Sequence, residues 1–218
     1  MARKKTAPPA STLLLLVRHG QTPTTGAVLP GRASGLHLAD EGRRQAEAAA
    51  ERIAPFGDRV AAVYASPLER TKETAAPIAA ALGQRVRVER GLLEADFGEW
   101  TGAELKSLAK LPVWRTVQHR PSVFRFPGGE SFAEMQLRIW SALQRLVDAH
   151  PGKVVVAVSH ADPIKAAVAQ AMGCHLDLFQ RIVVSPCSIT AIAHTDGGGP
   201  IVLCVNSTGR DLSTLVPS

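Results

Sequence analysis

The sequence predicts an α/β fold, a three-layer α/β/α sandwich with a mostly parallel, doubly wound central sheet. Three observations carry that reading. Near-continuous apolar runs recur at Thr12–Val17, Val60–Ala65 and 153–160, as expected for strands covered on both faces. Longer segments with helix-start signals lie between them. The two kinds of segment alternate along the chain, which is the pattern of parallel strands joined by crossover helices.

Taken in order, the first strand, Thr12–Val17, stops at Arg18-His19-Gly20. Asp40 is the expected N-cap of an alanine-rich helix over roughly 41–54, closed by Pro55. Val60–Ala65 is the second strand. Ser66 as cap and Pro67 at the first helical position open a second helix, which Gly83 closes. Pro77 inside it is expected to kink or divide it. Alternation over Arg85–Glu89 gives a short strand, and residues 103–127, with Pro112, Pro121 and Pro127, are expected to form short helices and loops. Ser131 opens a long helix to about Ala149, with Phe132, Met135, Leu137, Ile139, Trp140 and Leu143 supplying most of its apolar face. Residues 153–160 form the third buried strand, and Asp162-Pro163 starts the next helix. "SITAIAHT" and "PIVLCVN" flank Asp196-Gly197-Gly198-Gly199 and read as a hairpin. Residues 1–11 are expected to be a basic flexible tail, and 12–218 a single domain.

Composition narrows the function classes. With 218 residues, 45% hydrophobic and 20% charged, the chain can bury roughly 70% of its unfolded surface without staples. The net charge of +6 is scattered beyond Arg3, Lys4 and Lys5, and aromatic residues are only 5%. A nucleic-acid module would show a basic stripe or interleaved aromatics, which leaves an anionic surface or small phosphorylated metabolites as the expected anionic partners. The five apolar residues Leu13–Val17 are too few for the core of a signal peptide, and no run approaches a membrane span. Cys174, Cys187 and Cys204 are odd in number and widely spaced, which suggests reduced thiols in a cytoplasmic protein. Whether it is a monomer or a homodimer is not legible.

In doubly wound sheets ligands collect at the carboxyl ends of the strands. Two of the three buried strands end in a histidine, His19 after Arg18 and His160 after Ser159. The second strand leads to Arg70 in the first turn of its helix. Two guanidiniums suit a phosphate dianion, and the helix after His160 offers free N–H groups to the same anion. An imidazole between such cations stays neutral, as phosphoryl transfer to nitrogen requires. The residues thus describe a phosphoryl-accepting site. His37, His119, His150, His175 and His194 have no such placement and are expected to be structural.

"LVRHGQT", "ASPLERTKETA", "LLEADFGEWTG", "PGGESF" and "VVVAVSHADPIKAA", in that order and spacing, resemble the motifs of the histidine phosphatase superfamily, the phosphoglycerate-mutase-like proteins. The similarity covers essentially all of 12–206. It implies a phosphoglycerate mutase-like fold and a phosphohistidine formed at His19. Arg18, Arg70 and a protonated His160 would form the phosphate pocket, and Glu94 would be the general acid and base, with Asp96 and Glu99 as solvated or capping neighbours. The resemblance implies no metal, and a phosphorylated primer only for a mutase. Gly20 would let the backbone approach the phosphate, and Ala161 would donate its N–H. Thr25 stands where many relatives carry an asparagine phosphate donor, Ala161-Asp162 where they often carry Gly-Gly, and Thr101 interrupts the commoner "WEG". Asp162 is expected to cap its helix. Arg32 is a further candidate substrate contact.

Hydrolysis is the expected reaction, because mutases of the superfamily carry a longer closing insertion than 101–127. The alternatives are a phosphomutase and, more remotely, a non-catalytic phosphate-binding scaffold. Arg115, His119, Arg120 and Arg125 lie in the segment expected to overhang the pocket; if they line its mouth, they favour a second anionic group on the substrate.

Overall fold

The computed structural model describes residues 11–195 and 198–209. The basic tail falls almost wholly outside these, as do Asp196 and Gly197 of the hairpin turn. Twelve regular elements follow the predicted alternation. These are β1 (Ser11–Arg18), α1 (Asp40–Ile53), β2 (Val60–Ala65), α2 (Glu69–Ala81), β3 (Val86–Val88), α3 (Leu105–Leu108) and α4 (Trp114–His119). Then come α5 (Phe132–Ala149), β4 (Val154–Ser159), α6 (Ala161–Ala171), β5 (Ile189–Thr195) and β6 (Pro200–Ser207). The strands form one six-stranded sheet in the order β3-β2-β4-β1-β5-β6. The first four are mutually parallel, and β5 and β6 close one edge as an antiparallel hairpin.

The run that opens the chain explains the three layers. Successive strand side chains point to opposite faces, so Leu14 and Leu16 join one core and Leu13, Leu15 and Val17 the other. The first core contains Phe132, Met135, Ile139 and Leu143 of α5 with Ile164 and Val168 of α6. The second contains Ala50 and Ile53 of α1 with Ala75 and Ile78 of α2. All five residues from Leu13 to Val17 are at most 1% exposed. Burying each such side chain contributes roughly 1.5–3 kcal/mol, so β1 is apolar without alternation because both faces are covered.

The helix starts show where short-range signals misled. Ser131 is a cap as expected: its Oγ accepts from Glu134 N–H at 3.1 Å while the Glu134 carboxylate accepts from Ser131 N–H at 2.9 Å, a capping box. Asp40 is not a cap, however. It is the first helical residue, Ala39 holds the cap position, and its carboxylate pairs with Arg43. Ser66 lies two residues before the observed cap, Leu68. Asp162 sits inside the first turn of α6, with His160 at the cap. Pro77 does not divide α2, which runs unbroken through it. Leu137 is 68% exposed, because the buried stripe of α5 follows 132, 135, 139, 142, 143 and 146 and position 137 falls between its turns.

One close contact sets the angle at which α1 leaves β1. The carbonyl of Gln21 accepts from Ala39 N–H at 2.9 Å, drawing the N-terminus of α1 against the backbone that follows β1. A Cβ on Gly42 would stand 2.1 Å from Gln21 O, and one on Gly20 2.5 Å from Gly42 O. Both glycines are therefore required by backbone approach. Gly42→Ala should destabilise the protein by about 1–3 kcal/mol, as overpacking does; a urea midpoint unchanged from wild type would contradict this contact.

Candidate active site

The parallel pairing of β1 with β4 puts Arg18 opposite Ser159, and His19 N–H continues the ladder to Ser159 O at 2.9 Å. His19 and His160 therefore stand side by side just beyond two adjacent strand ends, their ring centroids 5.2 Å apart and their planes at 61°. The end of β2 joins them through Ser66 N–H, which donates to Val158 O at 3.0 Å. Ser66 is wholly buried, and its Oγ lies 2.9 Å from His160 Nε2. It was expected to cap a helix; its hydroxyl is instead spent on the second histidine.

His19 is held in the tautomer that a nucleophilic nitrogen would need. Its Nδ1 lies 2.7 Å from Gly20 O, and a carbonyl only accepts, so Nδ1 carries the hydrogen and Nε2 keeps its lone pair. Burial first, then the charges of Arg70 and Arg18, hold the imidazole down to about 3. The ring is thus neutral at any ordinary pH. The Gly20 carbonyl fixes the tautomer, while Gly20 N–H is taken up by Thr74 Oγ1 at 3.0 Å. Gly20 accordingly orients the histidine and admits α1; its N–H is not held for a phosphate.

Around this ring several polar atoms find no partner among the described residues. Arg70 is fully buried, and while Nη2 donates to Gly31 O at 2.7 Å, Nε and Nη1 have no acceptor. Arg18 donates through Nη1 to Val184 O at 2.7 Å and leaves Nε unmatched. His160 Nδ1 is likewise buried without a partner. An unsatisfied buried polar group costs about 1–3 kcal/mol, and one tetrahedral oxyanion would answer several of them at once. The N-terminus of α6 adds to the field, and Ala161 lines the same pocket. His160 differs from expectation in its charge. Burial, Arg70 and His19 hold its pKa well below the usual value, so it is a neutral donor until an anion compensates the neighbouring cations.

Glu94 faces this floor from the loop after β3 and is 8% exposed. Burial, then repulsion from Asp162, raise its carboxyl to about 7 against the opposing pull of the Ala95 N–H, Arg70 and Arg18. Its backbone is held by a clamp. Arg138 of α5 grips both carboxylate oxygens of Glu130 at 2.7 and 2.9 Å and donates to the carbonyls of Gly91, Leu93 and Glu94. Arg32 donates to Glu94 O at 2.9 Å and to Glu130 at 3.0 Å. Arg32, expected to touch substrate, is instead committed to this clamp. Asp96 assists it at 3.4 Å and also accepts from Gly98 N–H. Glu130 and Arg138 escaped the sequence reading, although Arg138 falls on the apolar stripe of α5 between Met135 and Ala142, where a charge needs a buried partner.

The pocket above this floor encloses about 370 Å³. Thr25 is on its wall, but its Oγ accepts from Thr22 N–H at 2.9 Å and meets Thr22 Oγ at 3.0 Å, so it braces a turn. Asp162 lines the pocket and pairs with Lys165 at 3.2 Å; an i,i+3 spacing of opposite charges at a helix start was the available signal. Arg115, His119, Arg120 and Arg125 do not line it, and Arg125 pairs with Glu134 on the exterior. His37, His150 and His175 bond to Glu73, Tyr64 and the Asp177 N–H, and His194 packs beside Trp140, all outside the pocket.

Comparison with known proteins agrees with this geometry. The family model of the histidine phosphatase superfamily (branch 1) matches residues 14–207. The chain is 33% identical over 199 residues to "Bifunctional protein Rv2228c" of Mycobacterium tuberculosis, covering 91% of this chain and 54% of that protein. It thus spans about half the length of the mycobacterial relative. It is 30% identical over 200 residues to "Phosphoserine phosphatase 1" of Hydrogenobacter thermophilus, covering 89% and 92% of the two chains. The solved structure of Bacillus stearothermophilus YhfR superposes with a TM-score of 0.83 at 26% identity, over 91% of this chain and 98% of that one.

The unmatched donors give a thermal test. Orthophosphate at 100 times its Kd should stabilise the protein by about 2.7 kcal/mol, seen as a rise in Tm. Arg70→Met should lose that rise while melting no lower than wild type in phosphate-free buffer, since a buried unpaired cation is removed. A normal phosphate response in Arg70→Met would contradict the assignment of the floor.

Proposed function

The chain belongs to the histidine phosphatase superfamily, and within it we propose that it is a phosphomonoester hydrolase working through a phosphohistidine at His19. The observation that carries this reading is the His19 tautomer, with Nε2 unprotonated among cations that have unused donors. The relative named a phosphoserine phosphatase supports it. Small phosphorylated metabolites are the substrates proposed.

In the first step His19 Nε2 attacks phosphorus in line with the ester oxygen. The P–O bond breaks as the N–P bond forms, and Glu94 gives its proton to the departing alkoxide. Arg18, Arg70 and His160 Nδ1–H stabilise the equatorial oxygens. In the second step the Glu94 carboxylate takes a proton from water, whose oxygen displaces the histidine from phosphorus. Phosphate leaves, and Glu94 is again protonated. We propose that no metal participates, the two guanidiniums supplying the charge that a metal would; among the described residues no group of three or more His, Cys, Asp or Glu side chains is arranged to hold one. A mutase would differ only in returning the phosphoryl group to a second substrate oxygen, and would need a phosphorylated primer.

No helix among the described residues is long and apolar enough to cross a membrane. The three cysteines are free, and burial pushes the Cys187 thiol up to about 12. Free thiols are the usual state in a reducing compartment, and we propose the bacterial cytoplasm.

Three outcomes are expected. His19→Ala should abolish turnover and acid-labile labelling by a ³²P-phosphomonoester; hydrolysis at the wild-type rate would exclude the mechanism. Because the Glu94 carboxyl sits near 7 and must be protonated to act, kcat/KM for an alkyl phosphate should fall as pH rises through 7. p-Nitrophenyl phosphate, whose leaving group needs no proton, should lack that limb; once each profile is corrected for its ester's own phosphate ionisation, the remaining difference isolates Glu94. Arg138→Lys, which loses the fork of the clamp, should slow the alkyl ester at least tenfold more than the nitrophenyl ester, within the roughly 10²–10⁴-fold that acid catalysis supplies. An equal effect on both would assign Arg138 to folding alone.

A further inference from the structure

The floor takes the phosphate, so the rest of the pocket must take the organic group. Its chemistry is visible in charge and in shape. Beyond Arg18 on the floor, the cation among the described lining residues is Lys165. Its Nζ lies 3.2 Å from Asp162 Oδ1 and 3.3 Å from Gln180 Oε1, with both acid and base of the ion pair only 19% and 17% exposed. That cation is already matched within the wall. A carboxylate or second phosphate on the substrate would have to face Asp162, and beyond the floor no unpaired cation stands among the described lining residues to offset it. The arginines of 115–125 offer no help, since none reaches the pocket.

The shape points the same way. Leu29, Phe97 and Leu105, together with the Asp162–Lys165 pair and Gln180, line both the phosphate pocket and a second cavity of about 210 Å³ beside it. The far wall of that cavity is built from Trp114, Val117, Phe126 and Phe132, with Gln118 as its polar member. An apolar cavity of about 150 Å³ accepts benzene, so this one has room for a ring. An organic group attached to a phosphate on the floor would pass the ion pair and meet hydrocarbon.

We propose that this side cavity is the leaving-group subsite, and that the protein acts on phosphomonoesters whose organic part is uncharged and apolar or aromatic. The proposal rests on the hydrolase reading above. Each methylene moved from water into the cavity contributes about fourfold to kcat/KM, and the paired wall gives a second anionic group no matching gain. Leu105, half-buried at the junction of the two cavities, is the position from which the selectivity can be reversed.

The test compares ethyl phosphate, 2-phenylethyl phosphate, phosphoserine and 3-phosphoglycerate on the full chain, with phosphohistidine trapping on each. The expected result is a kcat/KM for the phenylethyl ester at least tenfold above the other three. Leu105→Arg, which adds an unpaired cation at the junction, should lower the phenylethyl ester and raise 3-phosphoglycerate at least fivefold. Higher kcat/KM for phosphoserine or 3-phosphoglycerate than for the phenylethyl ester in the wild type, or equal rates on all four, would overturn the subsite. In either case, phosphohistidine at His19 would leave the hydrolase reading standing. Absence of both turnover and phosphohistidine with every ester would overturn the hydrolase reading, and the subsite with it.

Discussion

The site depends on the register of β1 against β4. Neighbouring strands lie about 4.8 Å apart, and that spacing is what sets two imidazoles 5.2 Å from one another. Register is usually fixed by a strand's alternating pattern, because a slip by one residue turns every side chain over. Here the central residues are apolar on both faces, so alternation says little. Polar contacts at the two ends supply the information instead. At the start of β1, Thr12 Oγ donates to His150 O at 3.2 Å and accepts from Gly152 N–H at 3.0 Å. At its end, Arg18 reaches Val184 O and its backbone is bracketed by Cys187 and Ser188, which fix β1 against the segment leading into β5.

A site of this kind is held against its own electrostatics. Arg70 lies fully buried with two of its nitrogens unmatched, near a second guanidinium and two neutral histidines. Such an arrangement is preorganised for an oxyanion, and nothing in it needs to reorient when charge arrives. The opposing demand falls on Glu94, which in the proposed mechanism must be protonated to act. Burial and the nearby Asp162 push it one way, and the guanidiniums push it the other. The Glu130–Arg138–Arg32 clamp fixes where that balance is struck, since it grips the main chain of Glu94 and leaves the carboxyl free to titrate.

How much of this the sequence discloses depends on distance along the chain. Strands and helices were legible because their periods are local, and Arg18, His19, Arg70 and His160 because strand-end logic turns order into place. Glu94 was reached only through the family resemblance. Its position comes from arginines 62 residues before and 44 residues after it, and no local pattern announces such a convergence. The side chains of Ser66 and Asp162 suit a capping role. Other partners claim them instead, a histidine 94 residues away in one case and a lysine one helical turn on in the other. Arg32 erred in the opposite sense: a lone loop arginine looks free until its acceptors are seen.

The sheet order carries a further cost that the finished molecule conceals. β1 precedes both strands that flank it, β4 and β5, by about 140 residues or more. At the usual pace of synthesis, roughly 5–20 residues per second, Leu13–Val17 leaves the ribosome on the order of ten seconds before its neighbours exist. For that interval the most apolar segment of the chain, five β-competent residues without a charge or proline, has no native strand to pair with. Such segments are the seeds of intermolecular pairing. The residues that follow it, Arg18 and His19, interrupt the apolar run at once, and a flanking charge of this kind weakens such pairing.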